Sequence, residues 1–193
     1  MTPLYLASGS PRRRELLTQI GVKFQRVAVD VPEVQAPSET PSDYVQRLAL
    51  DKARAGLRAL DGKPGVVLGA DTLGVLDGQV LEKPLSREHG ADLLRAMSGR
   101  EHTVMTAVAT TDGERELLRL VQSQVRFRPL SEDDISRYWL TGEPQDKAGG
   151  YAIQGFGAVF VSELRGSYSA VVGLPLEATA QMLSEYNIPV WQS

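Results

Sequence analysis

The first residues that could do chemistry are three arginines in the segment SGSPRRREL near the amino terminus. This segment predicts the start of a helix, with Ser10 as the N-cap and Pro11 at the first helical position. Arg12, Arg13 and Arg14 then fall in the first turn, where the helix dipole disfavours cations and favours anions such as phosphate. Two interpretations stay open here: a structural salt bridge or solvated helix end, and an anion-binding site.

The helical period separates the directions of these arginines. Leu16, Leu17 and Ile20 define the apolar stripe of the helix, and Arg13 lies close to the centre of that stripe. A guanidinium aimed at the core is costly without an anionic partner. Arg14 lies on a flank, where we expect a solvated surface residue. The pattern therefore indicates Arg13 as the member that needs a partner.

A lysine on the second predicted helix has the same unusual position. Val45, Leu48, Ala49 and Ala53 form the inner face of this helix, and Lys52 stands near the middle of that apolar face. A lysine at such a position either extends to the edge of the face or has a buried partner. The partner would be a carboxylate or a phosphate.

Acidic residues and further cations follow later in the chain. Asp71 comes directly after VVLGA, which predicts a buried strand, and ligands of open α/β sheets lie beyond the carboxyl ends of strands. Lys83 follows in LEKP, and Asp146 and Lys147 begin a glycine-rich loop. Each residue alone has an ordinary structural explanation, but together they match what a triphosphate and its divalent ion require. Neither the P-loop nor the dinucleotide-binding fingerprint is present in the sequence.

The composition excludes several other classes. The 193 residues have 42% hydrophobic and 23% charged content and a formal net charge of -3, as in an ordinary globular protein and unlike a general nucleic-acid binder. The chain has no cysteine and only two histidines, so thiol chemistry and histidine-rich metal sites are excluded. A metal would have carboxylate and water ligands, as Mg²⁺ or Mn²⁺ prefers. Without a secretory or membrane-spanning segment, a cytoplasmic protein with no membrane partner is expected.

The elements that must position these residues alternate between strands and helices, which predicts an α/β class. Thr40 and Asp43 predict the N-terminus of a long helix, and Ser86 and Ser131 predict two more. A DG turn predicts a hairpin between HTVMTAVAT and LLRLVQSQVRF. The full set comprises strands in LYLAS, FQRVAVDV, GVVLGAD, AVFVSEL and SAVVGL, the two hairpin strands, and helices over 11–20, 40–57, 86–97, from 131, and 177–186.

The order of several short motifs resembles the Maf family over nearly the whole chain. The motifs are SGSPRR from Ser8, RLAxxKA from Arg47, GADT from Gly69, EKP from Glu82, SG from Ser98 and DKAGxYxIQG from Asp146. The resemblance implies a single Maf domain over 1–193, with an elongated mixed sheet, flanking helices and two lobes around a cleft, as in the inosine triphosphatases. It also implies a nucleoside triphosphate pyrophosphatase that uses a divalent metal and forms a homodimer. The mildly acidic net charge argues against a nucleic-acid polymer as partner.

The family's functional positions carry over residue by residue, as Ser8, Arg13, Glu33, Lys52, Asp71 and Lys83. At these positions we expect Arg13, Lys52, Lys83 and Ser8 to bind phosphates. We expect Glu33 to bind the metal, and Asp71 to be the general base and a second metal ligand. Arg12, Thr72 and Gln154 mark the branch that acts on dTTP and UTP. A glutamine amide can pair with N3–H and a carbonyl of uracil or thymine, and we expect Gln154 to do so.

Two alternatives to a dTTP/UTP pyrophosphatase stay open. Maf proteins are linked by name to septum formation, so the chain could be a nucleotide-binding regulator rather than an enzyme. A broader housecleaning pyrophosphatase acting on modified nucleotides is the other. All six functional positions are present, which favours the enzyme.

Overall fold

The computed structural model describes residues 1–192 as a mixed α/β protein, which confirms the predicted class. The seven-stranded sheet has the order β2-β1-β3-β5-β6-β7, with β4 paired to β3. Strand β1 is parallel to both β2 and β3, whereas β4 is antiparallel to β3 and β7 to β6. The strands are β1 (Leu4–Leu6), β2 (Gln25–Arg26), β3 (Val66–Leu76), β4 (Gln79–Leu81), β5 (Glu101–Thr111), β6 (Glu116–Phe127) and β7 (Val161–Arg165).

The helices begin where the capping residues predict. The side chains of Ser10, Thr40, Ser86 and Ser131 each accept a hydrogen bond from the backbone N–H three residues later. These bonds satisfy N–H groups that the first helical turn leaves without partners. The helices are α1 (Pro11–Gln19), α2 (Pro41–Ala59), α3 (Arg87–Met97), α4 (Glu132–Leu140), α5 (Tyr168–Val172) and α6 (Leu176–Ser184), with 3₁₀ turns at Glu143–Asp146, Ala148–Gly150 and Phe156–Phe160.

The chain divides into two compact units. Among the described residues, the first unit comprises 1–71, 106–121 and 173–192, and the second comprises 72–105 and 122–172. Fully buried aliphatic side chains form the core of the first unit; they include Leu6, Leu17, Val45, Leu48, Leu68, Leu174, Met182, Leu183 and Ile188. The core of the second unit contains aromatic rings in edge-to-face contact; they include His102, Phe127, Tyr138, Tyr151 and Phe160.

The prediction that a strand ends at Asp71 is wrong, because β3 continues to Leu76. The continuation pairs with β4 through a two-residue turn at Asp77 and Gly78, which have φ values of 50° and 76°. Two consecutive positive φ values are typical of the tight hairpin turn that the DG dipeptide favours. This second DG was the missed signal, and it places Asp71 in the middle of a strand.

Two other strand predictions are also corrected. Of the predicted strand FQRVAVDV, only Gln25–Arg26 pairs with a neighbouring strand. Its partner β1 has three residues, which is too short for a longer pairing. The segment SAVVGL contains helix α5 rather than a strand. Ser167 explains this difference, since its side chain accepts from Ala170 N at 3.1 Å and thereby caps a helical turn. The hairpin of β5 and β6 and the carboxy-terminal helix are confirmed.

Candidate active site

An ion-paired lysine lies at the centre of the candidate site in the first unit. Lys52 Nζ lies 2.7 Å from Asp71 Oδ1 and 2.8 Å from Glu33 Oε1. The side chains of Lys52 and Asp71 are only 13% and 11% exposed, whereas Glu33 is 44% exposed. The structure therefore brings together one cation and two carboxylates predicted from the sequence. Both of these partners of Lys52 are carboxylates, one of the two partner types expected from the sequence.

A glycine lets helix α2 approach strand β3 closely enough for this pair to form. A Cβ at Gly69 would lie 2.5 Å from the carbonyl oxygen of Ala49 and 2.6 Å from the backbone nitrogen of Ala53. Both atoms belong to the backbone of α2, so no side-chain rotation could relieve the contact. The small residue at position 69 thus sets the helix-to-strand distance, and Lys52 and Asp71 face each other across it.

Burial and the neighbouring charge act in opposite directions on Asp71. Removal of the carboxylate from water raises the pKa of Asp71 above its ordinary value, and the ammonium of Lys52 opposes part of that rise. A carboxyl group with a raised pKa accepts a proton more readily than an exposed aspartate does. Asp71 thus has the environment that a general base requires.

Arg13 is held in place by neutral groups on two segments. Its Nε donates to the carbonyl oxygen of Gly173 at 2.7 Å, and its Nη1 lies 3.4 Å from Ser8 Oγ. Burial lowers the pKa of the Arg13 guanidinium, while the charges of Asp71 and Glu33 act in the opposite direction. The contact confirms the inward direction predicted for Arg13. Gly173 was missed, because a backbone acceptor leaves no signal in side-chain type.

The loop that carries Glu33 is fastened to helix α2 by an arginine. Arg47 makes a two-pronged contact with Glu39, with Nε–Oε1 at 2.6 Å and Nη2–Oε2 at 2.9 Å. The same Nη2 also donates to the carbonyl oxygen of Val34 at 2.9 Å. Arg47 therefore bonds the residue next to Glu33. It belongs to the RLAxxKA motif but was not assigned a role from the sequence.

The other two arginines of the first turn differ from Arg13. Arg12 is half-buried, and its role in substrate choice stays a prediction. The expectation that Arg14 is a solvated surface residue is wrong. Arg14 is also half-buried, and its Nε is a buried atom without a hydrogen-bond partner among the described residues. The flank of a short helix still lies against protein, which the helical period alone does not reveal.

Three predicted site residues lie in the second unit. Thr72 follows Asp71 on β3 and is half-buried, whereas Lys83 and Gln154 are exposed. Lys83 lies next to Glu82, whose carbonyl oxygen accepts from Gly149 N at 3.1 Å. This bond joins the EKP segment to the glycine-rich loop, in which Lys147 pairs with Asp146 at 2.6 Å. Two motifs far apart in sequence thus meet within the second unit.

The carboxylates of the first unit match the ligands that a divalent cation prefers. Within residues 1–192, no group of three or more His, Asp or Glu side chains is arranged to hold a metal ion. Mg²⁺ in nucleotide sites is usually bound by one or two carboxylates, with water and substrate phosphates completing its shell. Glu33 and Asp71 fit this donor set, and the metal stays a prediction. Every helix within residues 1–192 is too short or too polar to span a bilayer.

The fold and site together define a mixed-sheet α/β protein with a cluster of paired cations and carboxylates in its first unit. A model of the Maf-like protein family matches residues 3–186, so the chain belongs to the Maf family. The predicted membership of the Maf family is therefore confirmed.

Curated relatives cover nearly the whole chain. A "dTTP/UTP pyrophosphatase" of Saccharophagus degradans is 54% identical over 192 residues, which are 98% of this chain and 91% of the relative. The Escherichia coli K12 protein of the same name is 54% identical over 187 residues, with 97% and 94% covered. Among solved structures, the Staphylococcus aureus Ham1 protein is 13% identical with a TM-score of 0.45, covering 65% of this chain and 72% of its own.

Proposed function

We propose that this protein hydrolyses dTTP and UTP to the nucleoside monophosphate and pyrophosphate. The observation that carries the proposal is the buried Lys52–Asp71 pair beside Arg13 and Glu33 in the first unit. Support comes from the relatives at 54% identity that are named dTTP/UTP pyrophosphatase. The fold alone would not support a function, because one fold hosts many chemistries.

The cations bind the triphosphate. Arg13 and Lys52 contribute positive charge from helices α1 and α2, and Lys83 contributes it from the EKP segment. Charge that develops on the phosphate oxygens during phosphoryl transfer is stabilised by such fixed cations. Ser8 adds a neutral donor, since its hydroxyl already lies next to the Arg13 guanidinium.

Glu33 and Asp71 hold the divalent cation. When bound, Mg²⁺ or Mn²⁺ neutralises phosphate charge and orients the triphosphate. The protein's own contribution is to keep these two carboxylates close to the Lys52 ammonium and the Arg13 guanidinium, so that two negative charges are balanced by two positive ones. Lys52 exchanges carboxylate contacts for phosphate contacts when substrate binds.

Asp71 activates the water that attacks the α-phosphorus. The water oxygen forms a bond to the α-phosphorus, its proton passes to the Asp71 carboxylate, and the bond from the α-phosphorus to the bridging oxygen breaks. Pyrophosphate leaves with the electron pair of that bond. The raised pKa of Asp71 suits this proton transfer, because a base with a pKa nearer neutrality accepts the proton with less cost.

Arg12, Thr72 and Gln154 select the base. The amide of Gln154 offers a donor and an acceptor, which match a carbonyl and N3–H of uracil or thymine. A glutamate at that position would instead suit the positive ring of 7-methylguanine. Replacement of Gln154 with Glu should therefore shift preference from UTP toward 7-methyl-GTP, and an unchanged preference would remove Gln154 from base selection.

A nucleotide panel tests the proposed activity. Pyrophosphate release from dTTP, UTP, CTP, GTP, 7-methyl-GTP and modified pyrimidine nucleotides is measured with Mg²⁺ and with Mn²⁺. We expect the highest kcat/KM for dTTP and UTP, and a loss of about 10²- to 10⁴-fold in Asp71→Asn, the range typical of a general base. Wild-type turnover in Asp71→Asn would refute the base assignment. Tight nucleotide binding without release would instead support a regulatory function.

The assembly and location are also proposed, on the resemblance to the family alone. We propose a homodimer in the cytoplasm. Light scattering coupled to size-exclusion chromatography tests the assembly, since a mass of one 21.0 kDa chain at micromolar concentration would refute the dimer. Cell fractionation tests the location.

A further inference from the structure

A glutamate in the second unit binds the segment that follows Gln154. Glu143 Oε1 accepts from the backbone N–H of Phe156 at 2.8 Å, and Glu143 Oε2 accepts from that of Gly157 at 2.9 Å. The Tyr138 hydroxyl donates to the same Oε2. One carboxylate thus accepts three hydrogen bonds, two of them from adjacent backbone groups. Bonds to an ionised acceptor are stronger than neutral ones.

The tyrosine of this network is itself fixed. Tyr138 is 5% exposed, and its hydroxyl also accepts from Ala152 N at 3.2 Å. Burial and the bond to Glu143 raise the pKa of Tyr138, so its hydroxyl keeps the proton that it donates. The network therefore holds the chain on both sides of Gln154, at Ala152 before it and at Phe156 and Gly157 after it.

Two glycines leave room for this carboxylate. A Cβ at Gly155 would overlap Glu143 Oε1, and a Cβ at Gly157 would lie 2.8 Å from the Tyr138 hydroxyl oxygen. Neither glycine has a positive φ, so backbone conformation does not explain them. The glycines following Gln154 are required by the close approach of the Glu143–Tyr138 pair.

We infer that Glu143 is a positioning residue for base selection: it fixes the backbone on either side of Gln154 so that the exposed amide meets the nucleotide base in one orientation. This inference rests on the proposed function, because it takes Gln154 as the contact to the base. Gln154 is exposed, so its own surroundings do little to fix it. The backbone at Gln154 is instead held in place through the neighbouring residues that Glu143 binds.

Glu143→Gln keeps the shape of the side chain and removes part of the network. A glutamine has one acceptor oxygen, so its NH₂ group must face either the N–H of Phe156 or the donors at Oε2. We expect amide hydrogen exchange in residues 153–158 of the free protein to rise about tenfold, the equivalent of one charge-assisted hydrogen bond. We also expect KM for UTP to rise about tenfold with kcat changed less than threefold, because binding and not chemistry is affected.

The choice between UTP and CTP separates positioning from general stability. Cytosine replaces the N3–H of uracil with an acceptor, so a fixed amide distinguishes the two bases and a loosely held one does so less. The ratio of kcat/KM for UTP to that for CTP should fall about tenfold in Glu143→Gln. Gly155→Ala should lower the same ratio by displacing Glu143, and the matched control Glu114→Gln, in the exposed β5–β6 turn, should change nothing.

The outcomes separate this inference from the proposed function. Unchanged exchange at 153–158 in Glu143→Gln overturns the inference. Faster exchange with an unchanged UTP-to-CTP ratio also overturns it and leaves Glu143 a purely structural residue. If the wild-type protein releases no pyrophosphate, the proposed activity fails, and binding constants for UTP and CTP replace the kinetic ratio. If wild type binds neither nucleotide, both statements fail.

Discussion

Replacement of Lys52 with Met should move the acid limb of the pH profile to higher pH. In the wild-type protein, burial raises the pKa of Asp71 and the Lys52 ammonium partly opposes that rise. Without the ammonium, less of the rise caused by burial is cancelled, so the pKa of Asp71 increases further. Because the base must be deprotonated to accept a proton, kcat/KM for UTP should begin to fall at a higher pH.

The magnitude follows from the geometry of the pair. Two unit charges 2.7 Å apart interact by about 6 kcal/mol at an effective dielectric constant of ~20, which is an upper bound before desolvation. An opposite charge at contact distance usually shifts a carboxyl pKa by about 1 to 3 units. We therefore expect the acid limb of kcat/KM to move upward by about 1 to 3 pH units, beyond any uniform loss from weaker phosphate binding.

The assay is the pH dependence of kcat/KM for UTP, which reports ionisation of the free enzyme. Arg54→Met is the matched control, since Arg54 is on the same helix and pairs with the exposed Glu116 instead. It should leave the limb in place. A Lys52→Met protein with lower activity but an unmoved acid limb would refute the coupling of Lys52 to Asp71, the proposed base.

Three further perturbations test the framework of the fold. Gly69→Ala should lower the free energy of unfolding by about 1–3 kcal/mol in urea titrations, whereas Gly9→Ala, where a Cβ meets nothing within 4 Å, should change it little. Burial lowers the pKa of His102 to about 4, below the usual ~6.5. The contribution of the neutral ring to the free energy of unfolding is therefore complete above pH ~6.5 and is lost as the pH falls toward 4. His102→Gln should abolish that pH-dependent part, up to about 3 kcal/mol. Arg47→Gln should free the loop that carries Glu33 and raise the half-saturating Mg²⁺ concentration about tenfold.

Specific results would contradict each of these expectations. Equal stability of the Gly69 and Gly9 variants would show that helix α2 can move away from β3 at no cost. Parallel stability curves for wild type and His102→Gln between pH 4 and 7 would show that the buried ring does not control acid stability. An unchanged Mg²⁺ requirement in Arg47→Gln would separate the order of that loop from metal binding.

The sequence predicted elements best where one local interaction decides the structure. Capping residues such as Ser10 and Thr40 bind the backbone three positions away, so the pattern alone locates the helix start. The pairing of strands depends on residues that are distant in sequence, so the extent of the strands was predicted less well. The short partner of β2 and the continuation of β3 beyond Asp71 are set by which strands meet. Only the turn at Asp77 carried a local signal for that continuation.

The candidate site shows the same difference between local interactions and interactions of distant segments. The apolar stripes correctly indicated that Arg13 and Lys52 point inward, because burial direction is a property of one helix. Their partners were not determined by that reasoning. The carbonyl of Gly173 and the Arg47 contact to Val34 are backbone interactions between distant segments, and residue type does not encode them.

The contacts of the site also explain how Arg13 can lie at a helix N-terminus. The positive end of α1 disfavours Arg13, but the negative charges of Asp71 and Glu33 act on the same guanidinium in the opposite sense. Two cations and two carboxylates thus balance before any ligand binds. Under the proposed function, a triphosphate does not enter a purely positive pocket; it competes with Glu33 and Asp71 for Lys52. Release of Asp71 from Lys52 would then accompany phosphate binding and leave the carboxylate available to the attacking water.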